Sequence, residues 1–332
     1  MSLPAKNLPN NTCNQNLMIV GAGAWGSALS IALSCKFKTI YLLCQDNSQT
    51  LNCTHPALQV QYSDNTQLTA DYSKIAICEN ILIATPSYAF SIVLDNIVPF
   101  IKQQNIAWVT KGFYGEKLLH QTFSNKFPNI SPCLISGPSF ASEVASLKPT
   151  ALVVASPNKS TAVLWANLIK SSHLKIYISD DIVGCEVGGA VKNIIAIAAG
   201  ISYGLGFGTN AISALISRGL AEMVRFGVSI GGSQKTFMGL TGLGDLTLTC
   251  FDDLSRNRSF GKEISKNPNV DLVLKKINAT VEGLNALPVV LKIAKENQVQ
   301  MPICEMVQMI ISGKILPKDA VNNLMNRDIN YE

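Results

Sequence analysis

A short apolar run, Met18–Val20, passes directly through Gly21-Ala22-Gly23-Ala24-Trp25-Gly26 into a stretch of helical character, Ala24–Ser34. No other feature limits the fold as tightly. A strand that ends on glycine and turns at once into a helix needs residues that tolerate a tight reversal and close packing. The G-x-G-x-x-G pattern supplies them: Gly21 permits the turn, Gly23 lets the backbone approach a ligand's pyrophosphate, and Gly26 lets helix and strand touch. Ala24 and Trp25 then open the helix, whose first N–H groups and positive dipole end suit phosphate. Glycines also occur in ordinary turns, but here the flanking strand and helix favour a dinucleotide fingerprint.

A second strand, Thr39–Leu43, leads to Cys44-Gln45-Asp46. Asp46 stands 20 residues after Gly26, where a carboxylate for the adenosine ribose is expected. A site for a 2′-phosphate usually offers Arg, and Gln45 to Thr50 contain none. NAD is therefore favoured, although a neutral Gln45 does not exclude NADP.

Further short apolar runs follow at Ile81–Ala84, Ile106–Val109, Cys133–Ile135 and Ala151–Ala155, with helical stretches such as Tyr88–Ile101 and Thr161–Ile169 between them. Strands alternating with helices indicate a parallel sheet. After about residue 180 long helical patterns take over, at Gly184–Ser202, Asn210–Gly227, Val281–Asn297 and Cys304–Gly313. The fold class is α/β: an N-terminal Rossmann-type parallel sheet domain, residues 17–180, plus an all-α C-terminal domain, residues 181–332. Residues 1–16, rich in Asn and Pro, read as a loose tail.

Composition narrows the function. With 47% hydrophobic and 15% charged residues and a mean hydropathy of +0.23, the chain is too apolar to be largely disordered. The balance of 27 Lys+Arg against 22 Asp+Glu gives +5 without a basic block, so no nucleic-acid partner is expected. The stretch Leu17–Cys35 runs 19 residues without a charge, long enough to span a bilayer. Its glycines and serines, and the poorly basic segment before it, favour the nucleotide turn, so no integral membrane segment is expected. Nine cysteines without close pairs, and only three histidines, provide no metal-ligand spacing and point to a reducing cytoplasm.

Chemistry gathers in the second half. Lys192 sits in Gly188-Gly189-Ala190-Val191-Lys192-Asn193-Ile194-Ile195, with small or apolar residues three and four positions away. Desolvation there would lower its pKa and make it a candidate base. The plainer reading is a lysine snorkelling at a domain edge. Asp245 follows Gly239-Leu240-Thr241-Gly242-Leu243-Gly244, either as a turn residue or as a carboxylate in a close backbone. Ser255-Arg256-Asn257-Arg258-Ser259 packs donors densely enough for a phosphate, or forms an exposed basic turn. Lys111 and Ser136-Gly137-Pro138-Ser139 follow the fourth and fifth strands, at the carboxyl edge where doubly wound sheets bind ligands.

The blocks GAGAWGSALS, ATPSYAF, TKGF, ISGPSFASEV, GGAVKNIIAIAAGISYGLGFGTNA, TFMGLTGLGDLTLTC, SRNRSFG and VEG together resemble the bacterial NAD(P)-dependent glycerol-3-phosphate dehydrogenases, over residues 18 to 313. The resemblance implies a Rossmann domain with a helical domain, a homodimer, a small phosphorylated substrate and NAD(P) as cofactor. It also implies interconversion of sn-glycerol 3-phosphate and dihydroxyacetone phosphate, supplying glycerol phosphate for phospholipid synthesis. Lys192 looks like the proton acceptor and Asp245 like its partner. Both, with Lys111, Gly137, Ser139, Asn193, Ser255, Arg256 and Asn257, look like substrate contacts. Ala24, Trp25, Gln45, Lys111, Ala141, Arg256, Thr280 and Glu282 look like cofactor contacts, beside Gly21, Gly23 and Gly26. The sequence departs from the family at Gln45, often His or Arg there, and at the neutral Thr280. The alternatives are another β-hydroxyacid-type dehydrogenase on the same architecture and a non-catalytic NAD-binding sensor.

Overall fold

The computed structural model describes residues 13–45 and 54–320, and these form two compact units. One comprises the described residues up to Thr110, with Phe123–Ile135 and Ser139–Ile178. The other comprises Lys111–Thr122, Ser136–Pro138 and the described residues from Ser179 onward.

The first unit is built on a sheet of eight strands: β1 (Cys13–Val20), β2 (Phe37–Leu43), β3 (Thr66–Thr69), β4 (Asn80–Ile83), β5 (Asn105–Trp108), β8 (Leu134–Ser136), β9 (Thr150–Ala155) and β10 (Leu174–Ser179). Two further short strands, β6 (Phe113–Tyr114) and β7 (Lys117–Leu118), pair as an antiparallel hairpin in the second unit. The sheet order is β10-β9-β8-β5-β4-β1-β2-β3, and β1 pairs in parallel with both β2 and β4. The strand order reverses at β1, so the crevice for a ligand opens between the ends of β1 and β4. Leu17, Ile19, Leu82 and Ala107 are fully buried there, as the continuous apolar runs of a two-sided parallel sheet require.

The helices of this unit are α1 (Ala24–Ala32), α2 (Phe90–Ile97), α4 (Ala141–Ala145) and α5 (Lys159–Ile169), while α3 (Leu119–Lys126) begins in the second unit and ends in the first. The stretch expected as one helix over 88–101 is α2 flanked by two 3-10 turns, the second holding Pro99. The uncharged stretch Leu17–Cys35 divides into the end of β1, the glycine turn and α1. Strand β1 starts at Cys13, inside the segment read as a tail. Two sheet strands carried too little signal to be expected: β3 is polar, and β10 leaves Tyr177 and Ile178 each 50% exposed.

The second unit wraps around α6 (Ile182–Gly204), of whose 23 residues 20 are buried. A helix apolar all round belongs in an interior. It is the one helix among the described residues that is long and apolar enough to cross a membrane, yet 94% of that apolar window lies buried inside the protein. Around it pack α7 (Thr209–Ser229), α8 (Gln234–Phe237), α9 (Asp245–Phe251), α10 (Arg256–Ile264), α12 (Glu282–Glu296) and α13 (Pro302–Ile311), with α11 (Val270–Ile277) set against α10. Helix α10 comes close enough that a Cβ on Gly200 would lie 2.0 Å from the Arg258 carbonyl oxygen, and one on Gly261 would lie 2.1 Å from that of Ile197. Glycine at both positions is what brings the first turn of α10 against the polar residues of α6.

Candidate active site

The glycine turn is a site made of backbone. Gly21 has φ +116°, a conformation L side chains rarely adopt, and a Cβ there would sit 2.8 Å from the Ala84 oxygen beyond β4. A Cβ on Gly26 would fall 2.0 Å from the Gly21 oxygen, whereas one on Gly23 meets nothing within 4 Å. Two glycines thus hold the turn closed and the third faces open space. Helix α1 has Gly23 at its N-cap, no side-chain cap and no acidic residue in its first turn, leaving its N–H groups to an anion. These features fit the pyrophosphate of a dinucleotide. Trp25 and Ala24 are half-buried in the first turn of α1, and Gln45 is exposed after β2. Asp46 lies outside the described residues. Ala141 opens α4, which packs on α1 in the same unit, with Ser139 half-buried just ahead of it.

The second site is made of side chains. Lys192 projects from the middle of α6 and is 6% exposed. Its Nζ donates to Asp245 Oδ1 at 2.5 Å and to Thr249 Oγ1 at 3.0 Å. Lys111 donates to the other carboxylate oxygen of Asp245 at 2.6 Å and to the Gly137 carbonyl at 3.4 Å. Asp245 opens α9 directly after a π-helical turn, Leu240–Gly244, a local distortion of the sort that often sits at functional sites. One buried carboxylate therefore bridges two ammonium groups, with a net charge of +1 when all three are ionised.

Burial pushes Lys192 down to about 8, and the neighbouring Lys111 charge adds to this, against the pull of Asp245. Burial also opposes the Lys111 charge, but Asp245 outweighs it and raises Lys111 above the ordinary lysine range. For Asp245 itself burial favours the neutral acid, yet the two lysines prevail and hold it below the usual carboxylate range. The two lysines thus divide: one a fixed cation, the other poised to exchange a proton near neutrality.

The Ser255–Arg258 cluster comes apart into separate tasks. Ser255 caps α10, its Oγ accepting the Arg258 N–H. Arg258 is 5% exposed, pairs with Asp253 and lies 4.5 Å over the Tyr203 ring, so its role is internal. Arg256 is exposed at the first position of α10. Asn257 is buried, donating to Asn193 Oδ1 at 3.0 Å and accepting the Gly283 N–H at 2.9 Å. Asn193 in turn donates to the Gly189 carbonyl and to Glu282 Oε2. This chain ties α6, α10 and α12 together and orients Glu282. Thr280 is half-buried just ahead of α12.

Lys111, Gly137, Lys192, Asn193, Asp245, Asn257 and Glu282 therefore converge within the second unit. Sequence reasoning missed Thr249, whose hydroxyl donates to the Asp245 carbonyl at 2.6 Å while receiving Lys192. Its signal was present, since Thr249 stands four residues after Asp245, on the same helical face.

A parallel sheet opening on a glycine fingerprint, with a helical unit carrying a buried lysine–aspartate–lysine cluster, defines the class: a dinucleotide-dependent oxidoreductase. Two family models match, described as the N-terminus of NAD-dependent glycerol-3-phosphate dehydrogenase over residues 16–162 and its C-terminus over residues 181–322. The chain is 54% identical over 320 residues to the glycerol-3-phosphate dehydrogenase [NAD(P)+] of Ruthia magnifica subsp. Calyptogena magnifica, covering 95% of this chain and 98% of the relative. The enzyme of the same name from Legionella pneumophila (strain Paris) is 40% identical, with 96% and 99% covered. The crystal structure of glycerol-3-phosphate dehydrogenase from Coxiella burnetii superposes with a TM-score of 0.89 at 35% identity, covering 95% of this chain and 99% of that one. The chain belongs to the NAD-dependent glycerol-3-phosphate dehydrogenase family.

Proposed function

We propose that the chain interconverts sn-glycerol 3-phosphate and dihydroxyacetone phosphate with NAD(H) or NADP(H). The observation that carries this beyond family membership is the pair of lysines on one buried carboxylate. In the oxidation, neutral Lys192 removes the proton of the C2 hydroxyl, and Thr249 and Asp245 hold its Nζ in place. In the reduction, the Lys192 ammonium donates that proton to the carbonyl oxygen and stabilises its growing charge. Lys111, kept charged by Asp245, adds a fixed cation for the same oxygen or for the substrate's phosphate. Nicotinamide, when bound, supplies or takes up the hydride at C2. The glycine turn and the bare N-terminus of α1 hold the pyrophosphate, with Ala24, Trp25 and Ala141 beside it. Arg256 and Asn257 bind the substrate phosphate, whose binding energy orients C2. Ser255, Ser139, Gly137 and Asn193 complete the substrate contacts, and Gln45, Thr280 and Glu282 those of the cofactor.

The test is oxidation of NADH or NADPH with dihydroxyacetone phosphate, followed by absorbance. Turnover that depends on the phosphate supports the reading. Equal turnover of non-phosphorylated hydroxyacids would favour a β-hydroxyacid dehydrogenase, and tight NADH binding without turnover a sensor. We extend the proposal to a homodimer acting in the cytoplasm and supplying glycerol phosphate for phospholipid synthesis. Its support is the family resemblance and the nine cysteines, with gel filtration and depletion in cells as checks.

A further inference from the structure

Glu186 is a buried carboxylate that the proton transfer above does not use. It lies on α6 less than two turns before Lys192, and its side chain is 1% exposed. Its Oε1 accepts the backbone N–H of His120 at 2.9 Å, and its Oε2 stands 2.6 Å from His120 Nδ1. With Glu186 ionised, its oxygen can only accept, and Nδ1 is the donor. His120 is the second residue of α3, so Glu186 serves that helix as an N-terminal anion supplied from another element.

What this contact anchors is the segment that carries Lys111. Residues 111–122 belong to the second unit, and between Lys111 and His120 runs only the β6–β7 hairpin. Phe113 and Leu118 of the hairpin are buried in the helical core, and Glu116 pairs with Lys292 on the surface. An exposed pair of that kind contributes little. The segment's two ends are held by buried carboxylates: Asp245 at Lys111, Glu186 at His120.

We propose that Glu186 and His120 form a clamp that fixes segment 111–122 and so sets the separation of Lys111 from the Lys192–Asp245 pair, making both of them positioning residues for the reaction. The proposal rests on the reading of Lys192 as the acid–base group. Its consequence is electrostatic. Burial is the main force lowering Lys192, and the Lys111 charge adds to it, while Asp245 on α9 opposes both. Glu282 on α12 acts on the same cluster through Lys111. If the clamp is loosened, Lys111 retreats, and Lys192 titrates at higher pH.

The experiment compares the wild-type chain with Glu186→Ala, Glu186→Gln and His120→Ala. The readouts are kcat/KM for dihydroxyacetone phosphate across pH, and the melting temperature. Glu186→Ala and His120→Ala are expected to lower kcat/KM by roughly 10- to 100-fold, the scale of a misplaced catalytic group. They should also move the limb near pH 8 upward. Glu186→Gln still accepts the backbone N–H and should recover part of both effects. His120→Ala removes only a partly exposed ring, so it decides the matter even where Glu186→Ala does not fold. A wild-type pH limb in His120→Ala overturns the clamp, whether kcat/KM falls or not, because a merely structural loss leaves the lysine's titration alone. Absence of turnover in the wild-type chain overturns the proposed function, and the clamp with it.

Discussion

The two candidate sites differ in what they are made of. In the first unit the glycine turn proposed to hold the pyrophosphate consists of backbone: three glycines within six residues, one strand end and one helix start. In the second, the site proposed for proton transfer consists of side chains from residues 111, 192, 245 and 249, brought together by α6, α9 and the segment before the hairpin. A backbone site tolerates change wherever Cβ atoms have room. A cluster of buried charges tolerates none that leaves a partner unmatched.

The sharpest test of that contrast lies in the charge cluster. Lys192→Ala removes a cation from an interior where burial disfavours it, so the protein should fold while kcat falls by ~100-fold or more, as for loss of a general acid–base group. Asp245→Ala leaves Lys111 and Lys192 buried without their counter-charge. It should cost about 3–5 kcal/mol in chemical denaturation besides activity. A stable Asp245→Ala protein would show that the lysines are far better solvated than their side-chain exposures of 16% for Lys111 and 8% for Lys192 indicate.

The backbone site gives the next largest effects. At Gly26 a Cβ collides with the Gly21 oxygen, so Gly26→Ala should cost roughly 1–3 kcal/mol of stability, as overpacking does. At Gly23 nothing stands within 4 Å, so Gly23→Ala should keep its melting temperature and lose NADH affinity instead, measured by fluorescence titration. Equal melting losses at both positions would remove the distinction.

Arg256 tests the phosphate end. Each hydrogen bond to a charged group is worth ~1.5–3 kcal/mol, so Arg256→Ala should lower kcat/KM for dihydroxyacetone phosphate by roughly 10- to 100-fold, and barely affect dihydroxyacetone. An equal loss with both substrates assigns Arg256 to the cofactor or the fold.

The pH dependence follows from the cluster. With Lys192 as the proposed acid–base group, oxidation should rise with pH and level off above about 8, while reduction, which would use the ammonium, should fall over the same range. A subtler effect lies away from both sites. Glu222 on α7, 1% exposed, accepts the N–H groups of Ile303 and Cys304 at the start of α13. Burial pushes it up to about 7, although those two N–H groups pull the other way. The folded state then holds a proton that the unfolded state releases near its ordinary value of 4.5. Its contribution is full below that value and is lost as pH rises towards 7. Glu222→Gln should therefore gain stability relative to wild type between acid and neutral pH, by a few kcal/mol at most on the linkage scale of about 1.4 kcal/mol per pH unit. A constant difference would place the ionised carboxylate in a wetter site.

Local pattern made much of this legible. The glycine turn, six of the eight sheet strands and the four long helices are all written in contiguous periodicity. Lys192 was visible because a charge stood among small and apolar neighbours. Thr249 needed Asp245 to be placed first, and the edge strands β3 and β10 lacked the buried apolar run that marks the others. The Ser255–Arg258 cluster was legible as a group but not in how its members divide. Four polar residues in a row look alike in sequence, yet the turn of α10 sends Asn257 and Arg258 inward and leaves Arg256 outside.

By itself, the sequence determined the strand–turn–helix unit, the fold class and the identity of the charged residues, because these depend on neighbours within a few positions. Only the tertiary structure decided that one carboxylate serves two lysines, that Glu186 reaches His120, and that Asn193 is shared between Asn257 and Glu282. Each of these pairings joins residues dozens of positions apart. Their energy comes from burial, which removes water and makes every unmatched charge costly, and burial is a property of the packed chain rather than of any stretch of it.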